Sequence, residues 1–240
     1  MKPLITSLLT ALVLVSGSAL ANTRVTLNGQ VLEYQTPPRL ATLLAELPAS
    51  ADYYWPAAAL YRADASLEQD RVEVLNGLAR LMQSRNTVLS RTASVLHTEI
   101  KQWRLAKRVN INIDFDQARR ARFANPRLTE GEFWLHVPKR AHAVHVFGAV
   151  LNPGMKPLMA DADAYRRQGM AASVADNSIV ILGRLNGSTE QRGIAYWNNQ
   201  HAAVYPGEWV FVPFGRSVLP AAHRQLNDKI AVLATNRVPL

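Results

Sequence analysis

The chain has 240 residues, no cysteine, and 27 Lys and Arg against 18 Asp and Glu, which gives a net charge of +9. The absence of cysteine excludes disulfides, thiol catalysis and thiolate metal sites, so stability must come from apolar cores. The length is sufficient for two small domains.

The first 21 residues have the pattern of a cleavable signal peptide. Lys2 precedes an apolar run from Leu4 to Val15, and Ala19-Leu20-Ala21 is an A-x-A cleavage site. A membrane anchor is the alternative, but the run is shorter than the ~20 residues that span a bilayer. We therefore predict an exported protein whose mature chain begins at residue 22. Export argues against nucleic acid as the partner of this basic chain and favours acidic polysaccharide, an anionic lipid surface or an acidic protein.

Residues 22–140 are predicted to form a first small domain. The stretch from Arg24 to Tyr34, with Asn28-Gly29 at its centre, has the pattern of a β-hairpin. Helical spacing follows at Leu40, Leu43, Leu44 and Leu47. A hairpin followed by a helix is the way in which a β-grasp domain begins.

An aromatic cluster follows the first helix, at Tyr53, Tyr54 and Trp55. Exposed aromatic rings can stack on sugar rings, so Trp55 is a candidate ligand-binding residue. Packing of these rings into the core is the alternative.

Residues 66–107 lose the strand pattern and predict two amphipathic helices. Ser66-Leu67-Glu68-Gln69 fits a capping box at the start of the first helix. The apolar positions recur in steps of three and four, at Leu67, Val74, Leu75, Leu78, Leu81 and Met82 and then at Leu89, Ala93, Leu96, Ile100 and Trp103. We predict an antiparallel helical hairpin inserted in the first domain.

The positive charge is concentrated between residues 101 and 140. The ten basic residues of this stretch are Lys101, Arg104, Lys107, Arg108, Arg119, Arg120, Arg122, Arg127, Lys139 and Arg140, opposed by Asp114, Asp116, Glu130 and Glu132. A solvated basic face and a surface for acidic sugar or lipid are the two interpretations. Under the second one, Arg119, Arg120 and Arg122 are candidate ligand-binding residues.

Arg108 lies between the helical hairpin and a predicted strand from Val109 to Asp114. A guanidinium at such a junction can bind a carboxylate or phosphate in bidentate geometry, or it can clamp two parts of the chain together. Asp114 and Asp116 would share one face of the strand, as a carboxylate pair for glycoside chemistry would. A cleft joining Arg108 to either carboxylate would indicate a polysaccharide-modifying enzyme.

Residues 141–219 are predicted to form a second small domain. It opens with VHVFGAVLNPG, from Val144 to Gly154, which has the pattern of a hairpin. Gly148 marks a bulge or a close approach by another backbone, and Asn152-Pro153-Gly154 supplies the turn. The elements predicted after it are a helix at 161–170, strands at 177–183 and 193–197 joined by the turn Asn186-Gly187, and a last strand at 204–212.

Residues 220–240 predict a C-terminal amphipathic helix with Leu226, Ile230 and Leu233 as its narrow apolar stripe. It is too short and too polar to span a bilayer. Docking on its own domain, binding of a partner protein and peripheral contact with a membrane surface are the alternatives.

Several of these stretches resemble known families. VHVFGAVLNPG is similar to the opening strand of the soluble ligand-binding β-grasp (SLBB) domains of polysaccharide export proteins. WPAAAL, from Trp55 to Leu60, and a series of C-terminal motifs resemble the capsule biosynthesis GfcC family. Those motifs are Tyr196-Trp197-Asn198, Pro206-Gly207, Val218-Leu219-Pro220, Leu226 to Ile230 and Arg237-Val238-Pro239. Arg108 matches an arginine that precedes the corresponding strand in that family.

The resemblance implies an α+β protein with two tandem SLBB-like β-grasp domains, a helical hairpin in the first and a C-terminal amphipathic helix. It implies a periplasmic accessory role in capsule or exopolysaccharide biosynthesis and export, with acidic polysaccharide or an outer-membrane export component as partner. A polysaccharide-modifying enzyme and a structural partner of an export complex are the alternatives. The sequence has no nucleophile elbow, no H-E-x-x-H and no phosphate-binding glycine loop, so no catalysis, cofactor or metal is predicted.

Overall fold

The computed structural model describes residues 23–239 of the chain, and the predicted signal peptide lies outside them. The strands are β1 (Thr23–Leu27), β2 (Gln30–Tyr34), β3 (Ala59–Arg62), β4 (Lys107–Val109), β5 (Gly131–His136), β6 (Ala143–Gly148), β7 (Gly154–Pro157), β8 (Ile179–Gly183), β9 (Thr189–Gly193) and β10 (Trp209–Val212). The helices are α1 (Leu40–Leu44), α2 (Ser66–Met82), α3 (Thr87–Gln102), α4 (Phe115–Arg120), α5 (Ala162–Gln168) and α6 (Leu226–Thr235).

The strands form two five-stranded mixed sheets in the described residues, so the α+β class is confirmed. Sheet 1 has the order β2-β1-β5-β3-β4, and sheet 2 has the order β7-β6-β10-β8-β9. In each sheet the opening hairpin is antiparallel, and its first strand pairs in parallel with a strand from the end of the unit, β5 or β10. The two sheets therefore repeat one topology.

The opening hairpin of sheet 1 agrees with its sequence pattern. Asn28 and Gly29 have φ angles of 46° and 91°, as a primed two-residue turn requires. The Asn28 amide also donates to the carbonyl of Val137 at 2.9 Å and accepts from its N–H at 2.8 Å, which fixes the turn against the chain after β5.

The helical hairpin of α2 and α3 lies between β3 and β4 in the chain but packs against sheet 2. Its buried apolar stripe, which includes Leu78 and Leu96, belongs to the same core cluster as Val146 and Phe211. Because β3 and β4 are neighbours in sheet 1, the hairpin links the two sheets.

Helix α6 completes this shared core. Leu226, Ile230 and Leu233, the predicted stripe, are all buried, and α6 contacts α2, β8 and β9. Asp228 and Val232 are exposed on its outer face, which is where any contact with a membrane or a partner would have to occur. None of the helices in residues 23–239 is long and apolar enough to cross a bilayer.

Three local predictions are wrong. The strand predicted from Val109 to Asp114 ends at Val109, because Asp114 accepts from the Gln117 N–H and caps α4. Ser66 is the first residue of α2 and not its N-cap, since Asp64 accepts from its N–H and hydroxyl. The strand predicted at 193–197 lies earlier, at Thr189–Gly193, and the following residues leave the sheet.

Gly148 is a position where no other residue fits. Its φ is +106°, and a Cβ there would overlap the carbonyl oxygen of Val212 and the ring of Phe211. The Ala149 N–H donates to that same carbonyl at 2.8 Å. The predicted close backbone approach is therefore confirmed.

We expect Gly148→Ala to lower the free energy of unfolding by about 3 kcal/mol or more, from combined backbone strain and overlap. Gly154→Ala is the matched control, because Gly154 has a φ of +113° but open space around its Cβ position. It should lose only about 1 kcal/mol. Urea unfolding measures both values, and equal losses would contradict the packing described for Gly148.

Candidate functional site

A cleft of about 400 Å³ lies between the two sheets and the C-terminal segment. Its aromatic lining is Tyr54, Tyr61 and Trp209, and its charged lining is Arg108, Lys139, Arg184, Arg237 and Glu208. Sheet 1 contributes residues on β3, β4 and β5 and in the chain before β3. Sheet 2 contributes residues on β6 and β7, at the start of β10 and in the chain after β8. The end of α6 and the chain after it close one side. A cleft of this size is within the range that holds small ligands.

Arg108, on β4, crosses from sheet 1 to sheet 2. Its guanidinium donates to the carbonyl of Leu185, in the turn between β8 and β9. It also lies 5.8 Å from the centre of the Tyr61 ring, and its backbone N–H donates to the Asn236 side chain at 2.9 Å. Gly187 gives it room, because a Cβ there would overlap the Arg108 side chain. Arg108 is therefore a clamp between the sheets, and its side chain still lines the cleft.

Arg237 and His145 form a polar group with Glu99 at the base of the cleft. The Arg237 guanidinium is 3.2 Å from His145 Nδ1 and 3.7 Å from Glu99 Oε1, and His145 Nε2 is 3.3 Å from the same oxygen. Arg237 also lies 5.3 Å from the centre of the Trp103 ring. Helix α3, strand β6 and the C-terminal segment thus meet through three polar side chains.

The charge states in this group follow from burial. Burial lowers the pKa of His145 to about 4, and the positive charge of Arg237 acts in the same direction. Burial raises the pKa of Glu99, partly offset by Arg237. The His145–Glu99 distance would suit an ion pair, but the low pKa keeps His145 neutral at neutral pH. We assign Nδ1 as the acceptor from Arg237 and Nε2–H as the group facing Glu99.

The one carboxylate that lines the cleft is already paired. Glu208 is buried, and its Oε2 accepts from Arg184 Nη1 and from the Tyr205 N–H, both at 2.9 Å. Arg184 also donates to Glu190 at 2.7 Å. Arg237 is paired with Glu99, so Arg108 and Lys139 leave the excess of positive charge among the residues lining the cleft.

The structure separates the five predicted ligand-binding residues. Arg108 lines the cleft, and together with Trp55 it lines a smaller adjoining cavity of about 280 Å³. Trp55 is partly buried in the core of sheet 1, with its ring 5.7 Å from that of Tyr53. Arg119, Arg120 and Arg122 are exposed on α4 and the turn after it, and they line neither cavity.

The carboxylates considered for catalysis do not join Arg108 in either cavity. The Asp114 side chain caps α4, and Asp116 is exposed in the first turn of that helix. Within residues 23–239 no group of three or more His, Asp and Glu side chains is arranged to hold a metal ion.

Sequence reasoning missed His145, Arg237 and Trp209 as residues of the site. His145 and Arg237 are 92 positions apart and meet only because the C-terminal segment returns to sheet 1, where Val238 donates to the carbonyl of Arg104 at 2.8 Å. The available signal was the motif Arg237-Val238-Pro239, one of the stretches that their family resemblance singled out in the sequence.

The fold and the cleft define a two-sheet α+β protein with a cationic cleft, lined in part by aromatic residues, between its halves. The family model described as "Capsule biosynthesis GfcC, N-terminal" matches residues 19–140. The family model described as "Capsule biosynthesis GfcC C-terminal" matches residues 152–239. The chain therefore belongs to the capsule biosynthesis GfcC family. It is also similar to the uncharacterized protein YjbG of Escherichia coli strain K12, with 28% identity over 196 residues that cover 80% of each chain.

The buried state of His145 predicts a pH dependence of stability. Its pKa is about 6.5 in the unfolded chain and about 4 in the folded one, so the unfolded state binds more protons between these values. Stability is then fully present above pH 6.5 and falls by up to about 3 kcal/mol as the pH drops toward 4. Imidazole NMR signals of His145 should titrate near pH 4.

The variant His145→Asn should lose this part of the pH dependence, and His142→Asn, at an exposed histidine, should keep it. Denaturant unfolding between pH 4 and 7 measures the difference. A His145 signal that titrates near pH 6.5 would contradict the assigned neutral state.

Proposed function

We propose that the protein is a periplasmic accessory factor of capsule or exopolysaccharide biosynthesis and export, and that it holds an acidic polysaccharide in the cleft. Family membership supports the capsule context. The signal-peptide pattern of residues 1–21 supports the compartment. The observation that carries the proposal is the combination of unpaired positive charge and aromatic rings in one ligand-sized cleft.

The cations suit carboxylate or phosphate groups on a sugar polymer. The Arg108 guanidinium has five N–H donors and gives one N–H to Leu185, which leaves others for a bidentate contact. Lys139 contributes an exposed ammonium group at the rim, and the Arg237 guanidinium, which is paired with Glu99, lies at the base. Since Glu208 is neutralised by Arg184, no unpaired carboxylate of the lining opposes an anionic ligand.

The aromatic residues suit the sugar rings themselves. Tyr54 and Trp209 are half-buried and bring apolar ring surface and polar edges to the same cleft, which fits a ligand with both apolar faces and hydroxyls. Burial raises the pKa of the Tyr61 phenol, so it stays a neutral hydrogen-bond donor beside Arg108.

We also infer that each sheet with its helix is a β-grasp domain of the SLBB type. The repeated strand order, with a parallel central pair and an opening hairpin, supports this assignment. Under it, the domains are residues 22–140 and 141–219, with the helical hairpin at 66–107 inserted in the first and the helix of residues 220–240 closing the chain.

An outer-membrane export component remains the alternative partner in this proposal. Deletion of residues 221–240 would not test it cleanly, because Leu226, Ile230 and Leu233 belong to the core. Substitutions of the exposed Asp228 and Val232 are the appropriate probes of the helix surface.

Binding of oligogalacturonate and of alginate fragments by calorimetry tests the cleft. Arg108→Met keeps the apolar stem and should weaken binding about tenfold or more, as expected for loss of a charge-assisted contact. Lys139→Met should weaken it about threefold, because the ammonium is exposed. Arg120→Met, on α4, is the matched control and should bind like the wild type.

Affinity should also fall with added salt, and less steeply in the two cleft variants. Circular dichroism and melting temperature check that each variant is folded. Equal weakening by Arg120→Met and Arg108→Met, or turnover of either polysaccharide, would contradict the proposal of a binding cleft.

A further inference from the structure

The chain after β9 presents two aromatic side chains to solvent. Tyr196 is fully exposed and Trp197 is 77% exposed. Large aromatic side chains are ordinarily packed, and a contiguous exposed apolar patch is a candidate interaction site. We call residues 194–200 the aromatic loop.

The aromatic loop is held by hydrogen bonds and is not a loose connection. Asn198 accepts from the Ala195 N–H at 2.9 Å, and its amide donates to the carbonyl of Ser178 at 3.0 Å. The Ile194 N–H donates to the same Ser178 carbonyl at 2.9 Å. The Gln200 N–H returns to the Gly193 carbonyl at 3.0 Å and closes the loop.

Gly193 makes this arrangement possible. A Cβ at Gly193 would overlap the backbone carbonyl of Asn198, so the loop can fold back onto the end of β9 only over a glycine. The backbone that carries Tyr196 and Trp197 is thus fixed from both sides, and their exposure is part of the folded structure.

The chemistry around the two rings selects a class of ligand. From Gly193 to Gly207 the chain has no Asp, Glu, Lys or Arg, and Asn199 and Gln200 are exposed beside the rings. Amide side chains both donate and accept hydrogen bonds, as sugar hydroxyls require. Anionic lipid or nucleic acid would instead call for Lys and Arg.

We propose that the aromatic loop is a second carbohydrate contact, in which Tyr196 and Trp197 stack on the apolar faces of uncharged sugar residues and Asn199 and Gln200 bond their hydroxyls. The choice of carbohydrate rests on the proposed function, but the site does not overlap the cleft. Leu185, at the cleft, and the aromatic loop lie at opposite ends of the β8–β9 hairpin, about 14 Å apart along β9. One extended polysaccharide chain would then contact the cleft through its acidic groups and the loop through its neutral sugars.

Fluorine NMR of the mature chain labelled with 5-fluorotryptophan tests this directly. The chain has five Trp residues, and the signal absent from Trp197→Phe identifies Trp197. Titration with neutral hexasaccharides of glucose, galactose and mannose should shift the Trp197 signal alone. Tyr196→Ala should weaken the response about threefold or more. Phe123→Ala removes a ring that is 91% exposed elsewhere and should change nothing.

Three results would overturn the inference. They are no Trp197 shift with any of the hexasaccharides, a Trp197 shift with phospholipid vesicles, and a shift that depends on protein concentration in the absence of sugar. A different result would show that the proposed function is wrong. If oligogalacturonate does not bind but a hexasaccharide shifts Trp197, the cleft proposal is wrong and the loop proposal holds.

Discussion

Trp103 packs edge-on against Phe147, with ring centres 5.6 Å apart, and this contact joins the helical hairpin to sheet 2. In the chain the hairpin belongs with sheet 1, since it connects strands β3 and β4. Its apolar stripe nevertheless lies in the core of sheet 2 together with α6. Sheet 1 has a separate core of its own, which includes Leu43 and Phe133. The relative position of the two sheets therefore depends on burial of the hairpin's apolar surface against sheet 2 and not on a linker.

The cleft exists because the sheets are held in this way. Arg108 bridges to the β8–β9 turn, and the chain after α6 pairs with residues that follow α3. Arg237 then lies over Trp103 and beside His145, so the same contacts that fix the sheets also place a cation at the base. Burial keeps His145 neutral and Glu99 pairs with Arg237, so the excess positive charge of the lining lies on Arg108 and Lys139. The architecture and the polar lining of the cleft thus depend on the same residues.

Local sequence patterns predicted the structural features that depend on short-range interactions. The Asn28-Gly29 turn, the stripes of α2 and α3 and the glycine at 148 all follow from short-range rules, and they are confirmed. The sheet against which the helical hairpin packs could not be predicted, because an apolar stripe does not indicate which surface it covers. The predicted strand from Val109 failed because Asp114 offered the backbone a helix cap instead. Arg108 could be proposed as a site residue because it lies between two predicted elements of the sequence. His145 joins the site only through contacts with residues that are distant in the sequence.

Site-specific photocrosslinking tests the central claim, which is that an acidic polysaccharide lies between the two sheets. A photoreactive phenylalanine replaces Met155, an exposed residue of the cleft, or Phe123, which adjoins Arg122 on the basic surface outside it. Each protein is irradiated with alginate and analysed for a polysaccharide adduct. The account predicts an adduct from position 155 that excess oligogalacturonate suppresses, and none from position 123. An adduct at position 123 without one at position 155 would contradict it.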